Sequence, residues 1–315
     1  MRRAIAAAAL AILLTLGLMV AFISPPGLLS LLDGAIGGGV GASRPGSALP
    51  FGTHGQTLDV WRPAGSATVK RPVLIFWYGG GWSNGDRRAY AFAARAYAKS
   101  GFVVIMPDYR KVPSIRFPAF VQDGAEAVKW TRDHVAEYGG DPDRIAVAGH
   151  SAGAHIVAML TLDTQWLRAE GVDPKIIKAA VGLSGPYDFY PFTSSRAVNA
   201  MQGTDPAATQ PINFARADAP PTLLVTSTGD TEVRPKNAIN LAAKLKALGA
   251  PVTLISYPAL THQDVVKALS KPFRGKGPIL ADSVAFLNAT LKVPLPFAHE
   301  VHYVSPKEPH TSVTN

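Results

Sequence analysis

Short apolar runs rich in β-branched and aromatic residues alternate along the chain with longer segments whose apolar residues recur at helical spacing. The apolar runs predict strands over residues 56–61, 73–78, 102–106, 145–148, 176–183, 222–226 and 252–256. The longer segments predict helices over residues 88–99, 120–138, 152–162, 236–248 and 279–291. Strands that alternate with helices form βαβ units, so the predicted fold class is α/β, a mostly parallel central sheet with helices on both faces.

The polarity of each predicted strand indicates its place in the sheet. Residues 56–61 alternate between apolar and polar side chains, which is typical of an edge strand. Residues 73–78 and 102–106 are almost continuously apolar, which predicts strands buried on both faces. Ligands bind at the carboxyl ends of the strands in such sheets, so polar residues just after a strand are the candidates for a functional site.

An apolar segment at the N-terminus lies outside the predicted sheet. Met1-Arg2-Arg3 precedes an uncharged run over residues 4–23, close to the roughly 20 residues that span a bilayer as a helix. Residues 1–24 are therefore predicted to be a membrane anchor or a signal segment, and the uncleaved anchor is preferred. Arginines ahead of such a helix favour an N-terminus on the cytoplasmic side of the membrane. We therefore expect the rest of the chain outside the cytoplasm, either membrane-anchored by this helix or exported as a periplasmic or secreted protein.

Composition divides the rest of the chain into three parts. Residues 25–49 are rich in Gly and Pro and predict a flexible linker. Residues 50–292 contain the strands and helices and show no internal repeat, so they are predicted to form one domain. Residues 293–315 lack any periodicity and predict a loose C-terminal tail.

The chain is strongly basic, with a formal net charge of +9 and a pI of about 9.7. Its Lys and Arg residues are scattered, and no nucleic-acid-binding motif accompanies them, so we expect no nucleic-acid partner. An anionic membrane surface is the preferred partner for this charge. The chain has no Cys, which excludes disulfides and thiolate chemistry.

Residues 149–153, Gly-His-Ser-Ala-Gly, match the Gly-x-Ser-x-Gly pattern of a sharp strand-to-helix turn. Such a turn strains the serine backbone, and side chains at the two glycines would collide with neighbouring backbone. The predicted strand over residues 145–148 and the predicted helix over residues 152–162 supply the context that the motif requires. Ser151 is therefore the candidate nucleophile.

A serine hydroxyl becomes a strong nucleophile only when a base accepts its proton. Among the eight histidines, His262 follows the predicted strand at residues 252–256 through a short loop, where it can reach over the sheet edge. His150 and His155 lie beside the serine turn, and we expect them to pack or to face solvent. His262 is therefore the candidate base.

The base in turn needs a carboxylate to hold its tautomer and its orientation. Asp230 follows the predicted strand at residues 222–226 and lies between Ser151 and His262 in the chain, the order of α/β-hydrolases. Asp230 is therefore the candidate orienting acid. The competing carboxylates are Asp188, Glu232 and Asp264.

Three consecutive glycines at residues 79–81 follow the strand at residues 73–78 and predict an oxyanion hole. Glycines allow the backbone N–H groups to approach the negative charge that develops on the substrate oxygen. The predicted donors are the amides of Gly80, Gly81 and Ala152. No Gly-Lys-Ser/Thr follows, which argues against a phosphate loop. No His, Asp and Glu cluster shows metal-ligand spacing, so we expect no bound metal.

Aromatic residues near the strand ends are expected to shape a substrate pocket. The candidates are Tyr78, Trp82 and Tyr187, each close to the end of a predicted strand. Asp108-Tyr109-Arg110 follows another strand, and we expect an Arg–carboxylate pair there to brace the glycine loop.

Six motifs occur in order between about residues 58 and 291. They are Tyr78-Gly79-Gly80-Gly81-Trp82, Pro107-Asp108-Tyr109-Arg110, Phe117-Pro118-Ala119, Asp141-Pro142-Asp143-Arg144-Ile145, Gly149-His150-Ser151-Ala152-Gly153, and Gly229-Asp230 with His262. Together they resemble the α/β-hydrolase esterases of the hormone-sensitive-lipase and BD-FAE-like groups, which also resemble kynurenine formamidases. In place of Tyr78 the family usually has His, and this departure puts the loop geometry and the substrate preference in question.

The resemblance implies the α/β-hydrolase fold and a cofactor-free carboxylic ester hydrolase that uses Ser151, Asp230 and His262. The leading hypothesis is a serine esterase that cleaves small-molecule esters, short-chain acyl or acetyl esters above all, through an acyl-enzyme. The first alternative is an amidase, formamidase or peptidase on the same triad. The second is a non-catalytic binding protein with this fold. The sequence predicts neither the alcohol of the substrate nor the oligomeric state.

Overall fold

The computed structural model describes residues 23–65 and 69–293 of the chain. Its strands are β1 (Ala42–Phe51), β2 (Gln56–Pro63), β3 (Arg71–Trp77), β4 (Val103–Pro107), β5 (Gly140–His150), β6 (Ile177–Leu183), β7 (Thr222–Ser227) and β8 (Val252–Tyr257). Its α-helices are α1 (Pro25–Ala35), α2 (Ala91–Lys99), α3 (Ala119–His134), α4 (Ala152–Leu162), α5 (Gln165–Ala169), α6 (Ser195–Met201), α7 (Lys236–Ala247), α8 (His262–Lys267) and α9 (Ile279–Thr290). Short 3₁₀ helices span Val135–Tyr138, Pro174–Ile176, Pro206–Thr209, Pro211–Phe214 and Arg274–Lys276.

The strands form one sheet in the order β1-β2-β4-β3-β5-β6-β7-β8. β1 pairs antiparallel with β2, and β2 pairs antiparallel with β4, whereas the remaining neighbours are parallel. This arrangement confirms the predicted α/β class with a mostly parallel central sheet. The prediction that residues 56–61 form an edge strand is wrong, because β1 pairs with the outer side of β2.

The centre of the sheet is buried on both faces. Residues 73–77 of β3 and residues 145–148 of β5 are fully buried, as expected for parallel strands covered by helices. Every residue of α4 is buried as well, which suits a helix of small and branched apolar residues packed on β5 and β6. The turn that carries Ser151 joins β5 to α4 and therefore lies between two buried elements of the fold.

The segment over residues 25–49, predicted as a flexible linker, instead forms α1 and most of β1, so that prediction is wrong. The Ser24 side chain caps α1 by accepting a hydrogen bond from the Gly27 amide at 3.3 Å, and prolines occupy the first turn. Asp33 of α1 forms an ion pair with Arg95 of α2 at 2.8 Å. These contacts fix a segment whose composition alone is typical of a linker.

Residues 1–22 of the predicted anchor or signal segment lie outside the described residues, and so do residues 294–315 of the predicted tail. Over residues 23–65 and 69–293, no helix has both the length and the apolar character needed to cross a membrane. The described domain closes with α9, after which Leu291 is still buried.

Candidate active site

Ser151 occupies the tight turn between β5 and α4 with φ 54° and ψ −121°. This conformation costs a non-glycine residue about 1–3 kcal/mol, so the surrounding structure must enforce it. A Cβ atom on Gly149 would lie 2.5 Å from the carbonyl carbon of Gly153, and one on Gly153 would overlap the carbonyl oxygen of Trp77. The Ser151 amide donates to the Leu183 carbonyl at 2.9 Å, which ties the turn to β6. The two glycines of the motif are thus a steric requirement of this turn.

Asp230 follows β7 and faces His262, the first residue of α8. The Oδ2 atom of Asp230 and the Nδ1 atom of His262 are 2.8 Å apart, and both side chains are buried. The other carboxylate oxygen, Oδ1, accepts hydrogen bonds from the amides of Glu232 and Val233 at 3.0 and 2.8 Å. Burial opposes ionisation of Asp230, but the hydrogen bond and the charge of His262 outweigh it and lower the pKa of the carboxyl group. The turn therefore presents an ionised oxygen to the imidazole.

Helix α8 and His150 position His262. Thr261 and Asp264 form a capping box at the start of α8, with hydrogen bonds of 3.2 and 3.3 Å between each side chain and the other residue's amide. The Nε2 atom of His150 lies 3.1 Å from the carbonyl oxygen of His262, and because a carbonyl only accepts, Nε2 carries the proton. Burial, followed by the charge of His262, lowers the pKa of His150 to about 3, so this ring stays neutral.

Ser151 and His262 line the same two cavities, so the structure brings all three predicted catalytic residues to one place. In the described part of the chain, no hydrogen bond joins the Ser151 hydroxyl to His262. Because Nδ1 of His262 is engaged by Asp230, its Nε2 atom is the one left for the serine or a substrate. Catalytic hydrogen bonds of this kind are often long before substrate binds and tighten in the complex.

The three glycines after β3 pack against the serine turn. A Cβ atom on Gly79 would lie 2.8 Å from Nδ1 of His150 and 3.1 Å from Cβ of Ser151. Gly80 and Gly81 have φ values of +142° and +60°, a backbone region that favours glycine. A side chain at Gly79 would push the loop away from the serine, and the other two positions need a conformation that side chains rarely adopt.

The amides of Gly80, Gly81 and Ala152 are the predicted oxyanion donors. Within residues 23–65 and 69–293, none of the three donates a hydrogen bond to a backbone carbonyl. The Gly80 carbonyl accepts hydrogen bonds from the amides of Ser83 and Asn84 at 3.2 and 3.0 Å, which closes the loop into a fixed turn. These amides are therefore available to a negatively charged oxygen beside the serine.

Tyr78 is fully buried behind the glycine loop, so the prediction that it lines the pocket is wrong. Its hydroxyl donates to Oδ1 of Asp108 at 2.8 Å, and its ring stacks on Tyr109 with centroids 4.8 Å apart. Asp108 also accepts a hydrogen bond from the Arg87 amide at 3.0 Å and forms an ion pair with the Arg87 guanidinium. Burial raises the pKa of Tyr78, which keeps the hydroxyl a donor. Tyr78 thus braces the loop.

The predicted bracing by an Arg–carboxylate pair is present, although the partners differ from those expected. Asp108 pairs with Arg87, which also reaches the buried Asp59 of β2 at 2.9 Å. Arg110 instead pairs with the buried Asp123 of α3 at 2.7 Å. Three ion pairs therefore join the loops after β3 and β4 to each other, to β2 and to α3.

The two cavities that share Ser151 and His262 differ in their walls. The first has a volume of about 470 Å³, and its wall includes Trp82, Pro186, Phe189 and Val233. The second has a volume of about 550 Å³, and its wall includes Pro25, Leu29, Phe92 and Val266. Both volumes lie in the range of small-molecule sites. The candidate site therefore has two cavities that differ in their lining residues, and each can hold a different part of a substrate.

The pocket predictions for Trp82 and Tyr187 have opposite outcomes. Trp82 lies in the wall of the first cavity, with its ring stacked on Phe189 at a centroid distance of 6.0 Å and perpendicular to the His155 ring at 5.3 Å. The prediction for Tyr187 is wrong, because its ring is fully buried and packs against Gly182 in the interior. The strand order places both residues at the active edge but does not determine which way each side chain points.

A family model described as BD-FAE matches residues 58–245, which is more than half of the chain. The chain belongs to the BD-FAE family. This membership confirms the resemblance inferred from the motifs. The matched range contains Ser151 and Asp230 and ends before His262.

Curated relatives of this BD-FAE chain carry esterase names. Esterase LipC of Mycobacterium tuberculosis is 32% identical over 269 residues, which cover 78% of this chain and 65% of LipC. Isoprenylcysteine alpha-carbonyl methylesterase ICME of Arabidopsis thaliana is 28% identical over 259 residues, which cover 74% of this chain and 59% of ICME. The chain therefore spans between half and two thirds of the length of these relatives.

Solved structures share the fold of this BD-FAE chain. An esterase of Pyrobaculum calidifontis matches with a TM-score of 0.67 and 22% identity, over 84% of this chain and 90% of that one. A truncated carbohydrate esterase from gut microbiota matches with a TM-score of 0.65 and 23% identity, over 75% of this chain and 91% of that one. Together with the sheet order, these matches identify the fold as that of the α/β-hydrolases.

Two polar residues of this BD-FAE site were not predicted as pocket residues. Arg196 and Glu232 each line both cavities, and the aliphatic part of Arg196 covers Gly81, where an added Cβ would lie 2.7 Å from its Cδ. Arg196 lies in a region without any sequence motif, so no local signal identifies it. In the residues that the structure describes, no group of three or more His, Asp or Glu side chains could hold a metal ion.

Proposed function

We propose that this protein hydrolyses carboxylic esters, with Ser151 as nucleophile, His262 as base and Asp230 as orienting acid. The observation that carries the proposal is the buried 2.8 Å contact between His262 and Asp230 at a cavity bordered by the strained serine. The esterase names of LipC and ICME support the same reaction class. The contacts of Ser151, His262 and Asp230 fit these three roles, as the two halves of the reaction show.

In the first half of the reaction, the Ser151 hydroxyl attacks the ester carbonyl carbon while Nε2 of His262 accepts its proton. Asp230 holds the proton on Nδ1 and stabilises the imidazolium that forms. Negative charge develops on the former carbonyl oxygen, where the amides of Gly80, Gly81 and Ala152 can donate. His262 then donates its proton to the leaving alcohol, and the acyl group remains bonded to Ser151.

In the second half, water replaces the alcohol. His262 accepts a proton from the water as the water oxygen attacks the acyl carbon, and the same amides stabilise the second negatively charged oxygen. The proton returns to Ser151 as the acid leaves, which restores the starting state. His150 stays neutral throughout and holds the backbone of His262 in place.

The acyl group is assigned to the first cavity and the alcohol to the second. Trp82 contacts Phe189 and His155 and forms part of the wall of the first cavity. Its indole ring limits the length of the acyl chain, which favours short acyl or acetyl groups. Replacing Trp82 by Ala should move the preferred substrate toward longer chains in a panel from acetyl to decanoyl p-nitrophenyl esters. The matched change Phe92→Ala, in the second cavity, should leave the acyl profile unaltered. An unaltered profile in Trp82→Ala would contradict this assignment.

The reaction is tested with Ser151→Ala on a short p-nitrophenyl ester. Loss of the nucleophile should lower kcat on the order of 10⁶-fold, while thermal unfolding remains close to that of the parent protein. Hydrolysis at the parent rate would exclude Ser151 as the nucleophile. Matched amide substrates, assayed beside the esters, separate esterase from amidase activity.

Localisation outside the cytoplasm belongs to the same proposal. Its support is the sequence of residues 1–23, two arginines followed by an uncharged apolar run. A C-terminal alkaline phosphatase fusion in a bacterial host should be active, since that reporter folds only outside the cytoplasm. An inactive but stably expressed fusion would place the domain in the cytoplasm.

A further inference from the structure

Helix α1 has its polar side chains Ser30 and Asp33 turned toward the protein, and three of its four leucines are exposed on the opposite side while Leu29 is buried. Ser30 is buried, donates to the Ala89 carbonyl at 2.8 Å and accepts from the Phe92 amide at 3.2 Å. Asp33 is 2% exposed and receives hydrogen bonds from Arg95 at 2.9 Å and from the Lys271 amide at 2.7 Å. A surface helix ordinarily shows the reverse arrangement, with the apolar stripe toward the core.

The opposite side of α1 is apolar and exposed. We call this set of residues the outer face, and its members are Leu28, Leu31, Leu32 and Ile36, exposed by 43%, 59%, 45% and 41%. With Val40 they supply five of the eleven large apolar side chains that are exposed among the described residues. Single exposed apolar residues are ordinary, but a contiguous patch on one helix marks an interaction surface.

A cluster of cations lies beside the C-terminal end of α1. We call Lys99, Lys271 and Arg274 the basic cluster. Nζ of Lys271 donates to the Ile36 carbonyl at 2.6 Å. Burial lowers the pKa of Lys99, and the charges of Arg274 and Lys271 lower it further while Asp33 opposes them. In residues 23–65 and 69–293 none of the three forms an ion pair with a carboxylate. The cluster is thus positioned to bind an anion.

The position of α1 in the chain and in the fold narrows the choice of partner. The uncharged apolar run over residues 4–23 ends two residues before α1 begins at Pro25. The first turn of α1 lines the second cavity through Pro25, Pro26 and Leu29. Helix α1 therefore follows an apolar sequence in the chain, and its N-terminal part borders the cavity of Ser151.

We infer that the outer face of α1 docks on an anionic lipid bilayer, with the basic cluster against the headgroups. Interfacial helices combine an apolar face that sinks into the acyl boundary with cations that contact acidic headgroups. The leucines supply the first property and the neighbouring cations the second. A second copy of this chain would not match the cations, because its own docking region would carry the same positive charge.

The docking geometry has a consequence for substrate, and this step rests on the proposed function. The N-terminal part of α1 lines the second cavity, so a docked molecule holds that cavity near the bilayer. Esters with a lipophilic alcohol can then pass from the lipid to Ser151 without crossing water. The docking test below measures contact with lipid and not turnover, so its failure and the failure of the esterase proposal are separate results.

The chain has no Cys, so one introduced cysteine carries a label at a single position. The full-length Leu31→Cys protein is labelled with an environment-sensitive fluorophore and mixed with vesicles that contain phosphatidylglycerol and nitroxide-bearing lipid. The label should brighten and be quenched by the nitroxide. The control is Ile239→Cys, on α7 and 47% exposed, whose label should respond to neither. Quenching that is absent at Leu31, or equal at both positions, would overturn the inference.

The cations are tested with Lys99, Lys271 and Arg274 all changed to Gln in the labelled protein. Each basic residue near an anionic surface contributes about fivefold, so the docked fraction should shift about 100-fold toward the undocked state. Equal quenching in phosphatidylcholine vesicles and in phosphatidylglycerol vesicles would refute the role of the basic cluster. A fluorescence change that depends on protein concentration and needs no vesicles would assign the outer face to self-association instead.

Discussion

The serine half and the base half of the site are held by different forces. At Ser151 the turn is enforced by steric contact, because a side chain on Gly149 or Gly153 would collide with backbone. At His262 the geometry depends on the hydrogen bond that Nδ1 donates to Asp230, on the one that its carbonyl accepts from the His150 ring, and on the capping box of α8. The geometry at Ser151 should therefore be disrupted when a larger side chain is introduced. The geometry at His262 should be disrupted when a hydrogen-bonding partner is removed.

Among the changes that test this contrast, Asp230→Asn should have the largest effect, and it changes one polar atom in the base half. The amides of Glu232 and Val233 hold the Oδ1 position, so the Asn oxygen stays there and its NH₂ group faces Nδ1 of His262. The imidazole is then forced into the wrong tautomer, and kcat should fall about 10⁴-fold. Steady-state hydrolysis of p-nitrophenyl acetate measures this. The matched change Asp188→Asn should leave kcat near that of the parent protein, and equal losses in both variants would contradict the assignment.

Adding one methyl group to the serine half should have the next largest effect. The Cβ of Gly153→Ala would overlap the Trp77 carbonyl oxygen, which is backbone and cannot move aside. Overpacking of this kind should lower the free energy of unfolding by about 3 kcal/mol or more, as measured by urea denaturation. Gly275→Ala is the control, because its Cβ would meet nothing within 4 Å. Equal stability of the two variants would show that the turn is not sterically enforced.

Acid should weaken the fold through two buried histidines. Burial lowers the pKa of His150 to about 3 and that of His155 to about 4, from an ordinary value of 6.5. Below pH 6.5 the unfolded chain binds protons that the folded protein excludes. The free energy of unfolding should therefore fall with pH by about 1.4 kcal/mol per unit for each histidine.

The control for this prediction is His155→Gln, whose side-chain amide can still donate to the Thr209 carbonyl that His155 reaches at 2.9 Å. Urea denaturation between pH 7 and pH 5 should show about half the pH dependence of the parent protein, because one of the two buried histidines is gone. A pH dependence that remains the same would mean that His155 does not remain neutral in the folded state.

Tyr78→Phe should have the smallest effect, because it removes one of several contacts behind the glycine loop. The lost hydrogen bond to Asp108 should lower the free energy of unfolding by about 1–2 kcal/mol and reduce kcat more than it changes KM. Tyr78→His tests whether another donor restores the loop. Tyr190→Phe, at an exposed tyrosine, is the control. Full activity and stability in Tyr78→Phe would show that the Tyr78 hydroxyl does not stabilise the glycine loop.

A contrast between local and long-range contacts explains what the sequence could predict. In the serine turn Gly149 packs against Gly153, four residues away, so the spacing of the motif predicts the turn directly, although Trp77 and Leu183 also hold it. The order of strands then places Asp230 and His262 at the same sheet edge, and the structure brings them into contact. Their catalytic roles stay predictions.

The errors concern side chains and segments whose surroundings come from distant parts of the chain. The direction of Tyr78 and Tyr187 depends on how a strand end is rotated, which strand order does not specify. His150 packs in the interior, as expected, but its contact with His262, 112 positions away, could not be predicted from the local sequence. Residues 25–49 are ordered by partners such as Arg95, which composition cannot reveal.

The central claim is that Ser151 is made reactive by His262. Treatment with a fluorophosphonate probe, followed by peptide mass spectrometry, tests it most directly. One adduct should form, on the peptide that contains Ser151, rapidly in the parent protein and far more slowly in His262→Ala. An adduct on another residue, or equal labelling rates in the two proteins, would contradict it.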